Sequence, residues 1–368
     1  MFDYSTPAEL PADKLACLQP GVRLRLPFGK RSVVGILLRL ETASSVSADK
    51  LREFDELIDE TPIVDAEQLR LLQWLSSYHH HPLGDTISNF LPGLLRKGRP
   101  AQASTSNKVW RLTTHGKGLG SNKLRRAPRQ AQLMNLLQEF GEVDINMLKE
   151  AGISTTVIRS LQDKELIEAV ALTDHDTVEI STSTHVGVAT GQQSGAIVLA
   201  EEQQQVISQI NSKSERFRAL LLQGVTGSGK TEVYLQAIDR ILRNGKQALV
   251  LVPEIGLTPQ MLQRFVRRFG AAVTSLHSGL SEAERLANWL TARNGTARVV
   301  IGTRSAVLAP MPELGMIVVD EEHDASYKQQ DGLRYSARDI AIKRAQLLGI
   351  PVLLGSATPS SESLYNIQ

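Results

Sequence analysis

Gly224-Val225-Thr226-Gly227-Ser228-Gly229-Lys230-Thr231 is a complete phosphate-binding loop, and the sequence supplies the two elements that such a loop needs. Ala219 to Gln223 before it reads as a buried strand, and Glu232 to Asn244 after it reads as a helix. The glycines let consecutive backbone N–H groups point into one concavity. Lys230 neutralises the outer phosphates, the Thr231 hydroxyl reaches a magnesium ion, and the helix N-terminus adds its dipole. The chain is therefore expected to bind a nucleoside triphosphate.

Around this loop, strands and helices alternate. Strands centre on Leu220, Ala248–Val252, Val273–Leu276, Val299–Gly302, Ile317–Val319 and Val352–Leu354, the order of a doubly wound α/β domain with a mostly parallel sheet. Met316-Ile317-Val318-Val319-Asp320-Glu321-Glu322-His323 supplies the second half of the nucleotide site. Its apolar residues form a strand, Asp320 emerges at the end to hold magnesium through water, and Glu321 orients the attacking water. Adjacent acids can also be no more than a solvated strand end, but the phosphate loop upstream favours the hydrolytic reading. Lys230, Asp320, Glu321 and His323 are the catalytic candidates, and Thr231 and Asp320 are the magnesium ligands. A guanine-reading Asn-Lys-x-Asp after the loop is missing, since Asn122-Lys123 precedes it and continues Leu-Arg.

With 368 residues the chain has room for about two or three domains. Lys plus Arg number 41 against 39 Asp plus Glu, so the overall charge says little. Its placement says more. Between Asp85 and Glu139 there is no acid, while Arg96, Lys97, Arg99, Lys108, Arg111, Lys117, Lys123, Arg125, Arg126 and Arg129 fall there. Such a run suits a polyanion and equally a solvated linker. Cys17 is the single cysteine, which leaves no disulfide framework or thiolate zinc site and fits a reducing cytoplasm. No run approaches a membrane span, and the first residues lack the features of a signal peptide.

In the first hundred residues, Val22–Leu26 alternates strictly, Pro27–Lys30 turns, and Val33–Leu40 is a second strand; a helix over Gln68–His79 follows. His79, His80 and His81 are consecutive and cannot share a helix face, so packing is favoured over metal binding. Helices expected over Gln130–Phe140, Asp144–Glu150 and Ser154–Lys164, then a strand over Leu166–Val170, give the order of a winged-helix module. Ser181 to Ser194 reads as a linker.

Three loop segments sit at strand ends of the α/β domain: Val252-Pro253-Glu254-Ile255-Gly256-Leu257-Thr258-Pro259, Gly302-Thr303-Arg304-Ser305 and Gly355-Ser356-Ala357-Thr358-Pro359. In succession with the phosphate loop and Asp320–His323 they resemble the first motor lobe of superfamily 2 helicases. That resemblance implies that Pro-Glu and Thr-Arg, with Arg304, touch the nucleic-acid backbone, and that Ser356 and Thr358 couple hydrolysis to DNA movement. It also places an adenine-reading glutamine at Gln203, with Gln204 or Gln205 as alternatives.

The fuller set of Gly224–Tyr234, Leu251–Gln260, Leu276–Leu280, Ile301–Ala306 and Asp320–Asp324, together with Phe2–Tyr4, Pro27–Lys30 and Tyr78–Pro82, resembles the primosomal replication-restart helicases over nearly the whole chain. The implied fold class is multidomain α/β. A small β-rich domain over 1–100 would bind the 3′ end of DNA, a winged-helix DNA-binding domain would span 105–182, a linker 183–195, and one RecA-like doubly wound P-loop helicase lobe 196–368. The resemblance implies that Phe2, Asp3, Gly29 and Arg52 line the 3′-end pocket; the family often has lysine where Arg52 stands. It also implies an aromatic-rich loop that senses DNA, here with Tyr327, Arg334, Tyr335 and Arg338, and with Leu333 in place of an expected tryptophan.

The activity implied is that of an ATP-dependent 3′-to-5′ helicase of replication restart, using ATP and Mg2+. It would act in the cytoplasm as a monomer on forked and single-stranded DNA, with other primosome proteins and single-stranded DNA-binding protein as partners. A non-enzymatic DNA-binding scaffold is the alternative. The resemblance implies an extra strand before Phe2 and, beyond Gln368, a zinc module and a second motor lobe, so the Zn2+ ligands and the arginine finger are expected to lie outside this sequence. Because such a finger contributes about 10³ to 10⁵ in rate, the expectation is a chain that binds ATP but hydrolyses it poorly.

Overall fold

The computed structural model describes residues 2–102, 108–118, 127–140, 142–143, 148, 153–171, 200–211, 216–225 and 227–365. The expected linker over 183–195 and Thr226 lie outside these residues, as does the expected helix over 144–150 apart from Leu148. The chain divides into one unit of residues 1–101 with 189–368 and a second of residues 102–188.

Strict alternation in the first segment produces an antiparallel hairpin of β2 (Arg23–Phe28) and β3 (Arg31–Ile36), turned at Gly29 with φ 61°. That left-handed backbone is one that glycine adopts at no steric cost. The second strand ends before the Leu40 expected from sequence. β5 (Glu56–Leu57) pairs with the other edge of β2, while β1 (Tyr4–Ser5) lies parallel to β4 (Arg52–Glu53). Arg23 is wholly buried, paired with Asp59 at 2.6 Å, and its Nη1 donates to the carbonyls of Leu95 and Arg99. One guanidinium thus ties the hairpin to the end of the segment.

Helix α1 (Ala66–Tyr78) starts at a capping box in which Gln68 N–H donates to Asp65 and the Gln68 side chain accepts from Asp65 N–H. Such caps contribute about 1 kcal/mol. After α1, His80 takes a positive φ of 50°, and the chain folds back so that Ser76 Oγ donates to the His81 carbonyl at 2.7 Å. The histidine run therefore closes a helix end. With α2 (Leu83–Phe90), α1 packs on the α/β lobe in one continuous core. Phe90 meets Trp289 edge to face at 5.6 Å, and Arg293 donates to the Pro62 carbonyl at 2.7 Å.

The second unit has an antiparallel sheet in the order β7 (Glu142–Val143), β6 (Lys108–Leu112), β8 (Ile167–Ala171). Helices α3 (Pro128–Phe140) and α4 (Thr155–Asp163) accompany it. Trp110, Leu133, Met134, Leu137, Leu148, Ile158, Leu161 and Ile167 form its core. The strand expected at Leu166–Val170 is β8, and its partner β6 is an addition to the sequence reading.

The lobe begins with α5 (Glu201–Asn211) and is built on six parallel strands. They are β9 (Arg218–Gln223), β10 (Gln247–Leu251), β11 (Val273–Leu276), β12 (Val299–Gly302), β13 (Leu314–Val319) and β14 (Pro351–Ser356), in the order β11-β12-β10-β13-β14-β9. Every residue of β10, β12, β13 and β14 is buried, as expected of parallel strands covered on both faces. Helix α6 (Lys230–Arg243) buries Val233, Tyr234, Ala237, Ile238 and Ile241, a single helical face. α7 (Glu282–Arg293) and α8 (Ala337–Leu348) are likewise capped, by Ser281 and Ser336. Since all strands run the same way, their carboxyl ends share one edge. β14 lies between β9 and β13, with Ser356 opposite Gln223 and Leu354 opposite Val319. The Ser-Ala-Thr segment therefore emerges between the phosphate loop and Asp320–His323.

Candidate nucleotide and DNA site

Gly227 and Gly229 hold φ near 84° and 85°, and Gly229 is the left-handed residue from which α6 starts. A Cβ at Gly224 would meet Ser228 Oγ at 2.6 Å, and one at Gly229 would overlap the Gln203 amide. The left-handed backbone at 227 and 229 is what favours glycine there. Lys230 is buried; its Nζ donates to the Gly224 carbonyl at 2.7 Å and lies 3.4 Å from Glu321 Oε1. Thr231 follows in the first turn of α6, and Val225 is exposed on the rim. Of the three candidate glutamines, Gln203 touches the loop: its Nε2 donates to the Ser228 carbonyl at 3.0 Å while its Oε1 accepts from Ala200 N–H at 3.1 Å.

Asp320 emerges at the end of β13, where its N–H donates to the Leu251 carbonyl. Tyr234, buried on α6, donates its hydroxyl to Asp320 Oδ1 at 2.9 Å. Burial pushes the Asp320 carboxyl up, opposed by that hydrogen bond. Burial and then Asp320 itself push the Tyr234 phenol far up, so it remains a donor. Glu321 sits at φ 44°, a left-handed conformation that costs about 1 kcal/mol or more for a side-chain-bearing residue. Its carboxylate accepts from Ala357 N–H at 3.4 Å and lies 3.7 Å from His323 Nδ1. His323 pairs through Nδ1 with Ser356 Oγ at 2.7 Å and through Nε2 with Thr358 Oγ1 at 3.4 Å. Gly224 N–H donates to the Ser356 carbonyl at 3.1 Å. Lys230, Glu321, His323, Ser356 and Thr358, dispersed in sequence, thus form one connected cluster.

Glu322 faces the other way. Its wholly buried carboxylate accepts from Ser360 N–H at 2.7 Å, Ser363 Oγ at 2.9 Å and Arg338 Nη1 at 3.2 Å. Burial pushes its carboxyl up, but these donors outweigh burial and hold it below the usual range. Sequence reasoning assigned Glu322 and Tyr234 no role. Four buried apolar residues ahead of the acids drew attention to Asp320 and Glu321, whereas the partners of Glu322 become visible only once β13 and β14 are side by side.

The residues fit a magnesium-bound nucleoside triphosphate. The loop enters α6 through a left-handed glycine, and it pairs a buried lysine with a strand-end carboxylate. Lys230 would hold the outer phosphates, and Thr231 and Asp320 the metal. No group of three or more His, Cys, Asp or Glu suited to a metal occurs among the described residues.

The residues expected to face DNA after Asp320–His323 divide differently. Tyr327 is 1% exposed and donates its hydroxyl to the Asp320 carbonyl at 2.6 Å. Tyr335 and Leu333 are buried, and Arg338 is locked in ion pairs with Glu322, Asp339 and Glu362. Arg304, half-buried, donates to the carbonyls of Ser326 and Lys328, both at 3.2 Å, and so braces this segment. Of the residues expected to face DNA in this segment, Arg334 is the one with an exposed side chain. The rings of Tyr327 and Tyr335 complete the core against α8, where their apolar area is removed from water.

In the β-rich module of the same unit, Phe2 and Phe28 meet edge to face with centroids 5.3 Å apart, both exposed. Gly29 follows Phe28 with open space at its Cα. Tyr4 pairs in register with Arg52 and donates its hydroxyl to the Pro27 carbonyl at 3.1 Å, while Asp3 accepts from Ser44 Oγ. Phe2, Asp3, Gly29 and Arg52 therefore gather at one end of the β-rich module, with Phe28 beside them.

Two family models match this chain: a DEAD/DEAH box helicase over residues 200–367 and a PriA 3′ DNA-binding domain over residues 1–92. Replication restart protein PriA of Haemophilus influenzae is 41% identical over 100% of this chain and 49% of its own length. The Bacillus subtilis protein of that name is 31% identical over 100% of this chain and 52% of its own length, and that of Chlamydia pneumoniae 34% identical over 100% and 48%. The chain spans about half the length of the curated relatives it matches. No helix among the described residues is long and apolar enough to cross a membrane.

Proposed function

Since this chain belongs to the PriA family of replication restart proteins, we propose that it is the ATP-gripping and DNA-end-reading part of a 3′-to-5′ DNA helicase. The complete enzyme recognises stalled forks and D-loops, moves along DNA at the expense of ATP, and starts the primosome assembly that reloads the replicative helicase. It acts in the cytoplasm as a monomer, with primosome proteins and single-stranded DNA-binding protein as partners. The observation that carries this reading is the order of the sheet. β14 stands between the strand feeding the phosphate loop and the strand delivering Asp320, which puts Ser356 and Thr358 in contact with His323.

In this mechanism Lys230 and the backbone N–H groups of the loop neutralise the triphosphate, and Gln203 holds the loop against α5 and reads adenine. Thr231 and Asp320 would hold magnesium, which when bound would supply charge neutralisation for in-line attack. Glu321 accepts the proton of the attacking water; His323 passes the resulting rearrangement to Ser356 and Thr358. Arg304 and Arg334 meet the DNA backbone, and Phe2, Asp3, Gly29 and Arg52, with Phe28, take the 3′ end. The sheet and helices of residues 102–188 act as a winged-helix module, which the antiparallel order and the two helices support.

The test is ATP turnover by the complete protein on forked DNA. Lys230→Ala is expected to abolish turnover and leave fork binding largely intact. Turnover indifferent to DNA sinks the helicase reading, and fork binding with no turnover even in the unsubstituted protein favours a structure-specific DNA-binding scaffold.

A further inference from the structure

Asp320 is held at both of its ends by buried tyrosine hydroxyls. On the side chain, Tyr234 donates to Oδ1 at 2.9 Å; on the main chain, Tyr327 donates to the carbonyl at 2.6 Å. Tyr234 has no exposed surface and Tyr327 has 1%. The Tyr234 hydroxyl comes from α6, one turn after Lys230, and reaches Asp320 across β14. It can do so because position 355 is glycine: a Cβ there would overlap the hydroxyl and crowd the ring carbon that bears it. Three elements therefore converge on a single hydrogen bond, with Gly355 as the notch that admits it.

Packing alone does not require this hydroxyl. A phenylalanine would fill the same volume, and an oxygen buried without a partner costs about 1–3 kcal/mol. The hydroxyl has a partner, and that partner is the carboxylate assigned to the metal. Groups that bond a metal-holding carboxylate from behind fix its orientation before the metal arrives, and losing one lowers metal affinity.

We propose that Tyr234 is a positioning residue of the magnesium site, its hydroxyl holding Asp320 in the orientation that receives the metal through the notch left by Gly355. The inference rests on the nucleotide-binding reading above. It assigns Tyr234 a task distinct from that of its neighbours on the buried face of α6: Val233, Ala237 and Ile238 pack, whereas Tyr234 also orients. It also makes Gly355 a condition of the site, through the space it leaves for the Tyr234 hydroxyl.

The experiment is a magnesium titration of fluorescent ATP-analogue binding by the full chain, with Tyr234→Phe, Gly355→Ala, Asp320→Asn and the double variant Tyr234→Phe/Asp320→Asn. Tyr234→Phe should raise the magnesium concentration needed for half-maximal nucleotide binding by about tenfold, with nucleotide binding in excess EDTA unchanged. Gly355→Ala, which displaces the same hydroxyl from the other side, should move the magnesium midpoint in the same direction. On the Asp320→Asn background, Tyr234→Phe should add nothing. An unchanged midpoint in a folded Tyr234→Phe chain overturns the proposal, as does equal weakening in EDTA or an undiminished effect on the Asp320→Asn background. Should Tyr234→Phe fail to fold, Gly355→Ala decides by the same midpoint. Absence of magnesium-dependent nucleotide binding in the unsubstituted chain removes the nucleotide reading and this inference with it, a result distinct from a normal unsubstituted chain with an unmoved Tyr234→Phe.

Discussion

At the nucleotide edge of the sheet, nearly every candidate side chain is engaged by another: Lys230 with Gly224 and Glu321, Asp320 with Tyr234, His323 with Ser356. At the tip of the β-rich module, Phe2 and Phe28 are exposed, Gly29 faces open space, and Arg52 lies on a surface strand. The first site is assembled by long-range sheet order and holds its groups in place before any ligand binds. The second is assembled by a hairpin and a two-residue strand, and leaves its groups in water. Substitutions at the first should disturb chemistry and local packing while leaving the DNA-end pocket intact; at the second they should disturb binding alone.

The largest effect breaks that contrast if it fails to appear. Lys230→Ala in the complete protein should lower ATP turnover by at least about a hundredfold, as loss of a charge-stabilising donor does, read by a steady-state ATPase assay on forked DNA. Next comes Glu322→Ala, which strands the Ser360 and Ser363 donors around a vacated buried position and removes the one wholly buried carboxylate among the three that Arg338 pairs with. A loss of stability of about 3 kcal/mol is expected, read by denaturant unfolding. At the other site, Phe28→Ala should change stability by no more than about 0.5 kcal/mol yet weaken binding of a 3′-ended single strand by about tenfold, the scale of one base stacking contact. Smallest is Arg334→Ala: the slope of log affinity against log salt for single-stranded DNA should fall by about 0.7, one phosphate contact fewer.

The edge around the phosphate-binding loop was more legible in sequence than the segment over 327–338, for a physical reason. A phosphate loop is a local object whose glycines, lysine and helix are contiguous, and buried parallel strands announce themselves as apolar runs. Asp320 and Glu321 followed from the strand before them. Tyr234 did not stand out, because a buried helix face and a hydrogen-bond donor look alike until Asp320 and Gly355 are neighbours. In the segment over 327–338, aromatic residues signal stacking surfaces and core anchors equally well; the structure uses Tyr327 and Tyr335 as anchors. Similarly, Arg338 reads as a surface cation until the carboxylates of Glu322 and Glu362 are brought to it. Strand β6 was missed, since Lys108–Leu112 is short, and its partner β8 lies far along the chain.

The separation of the two sites is the central claim, and one binding measurement tests it most directly: the affinity of the Lys230→Ala chain for a 3′-ended DNA strand, compared with the unsubstituted chain without nucleotide. Sites that share no partners are expected to be independent to within about twofold in affinity, so the variant should bind DNA as the parent does. A tenfold or larger loss would contradict the account and make the nucleotide grip part of the DNA-end pocket.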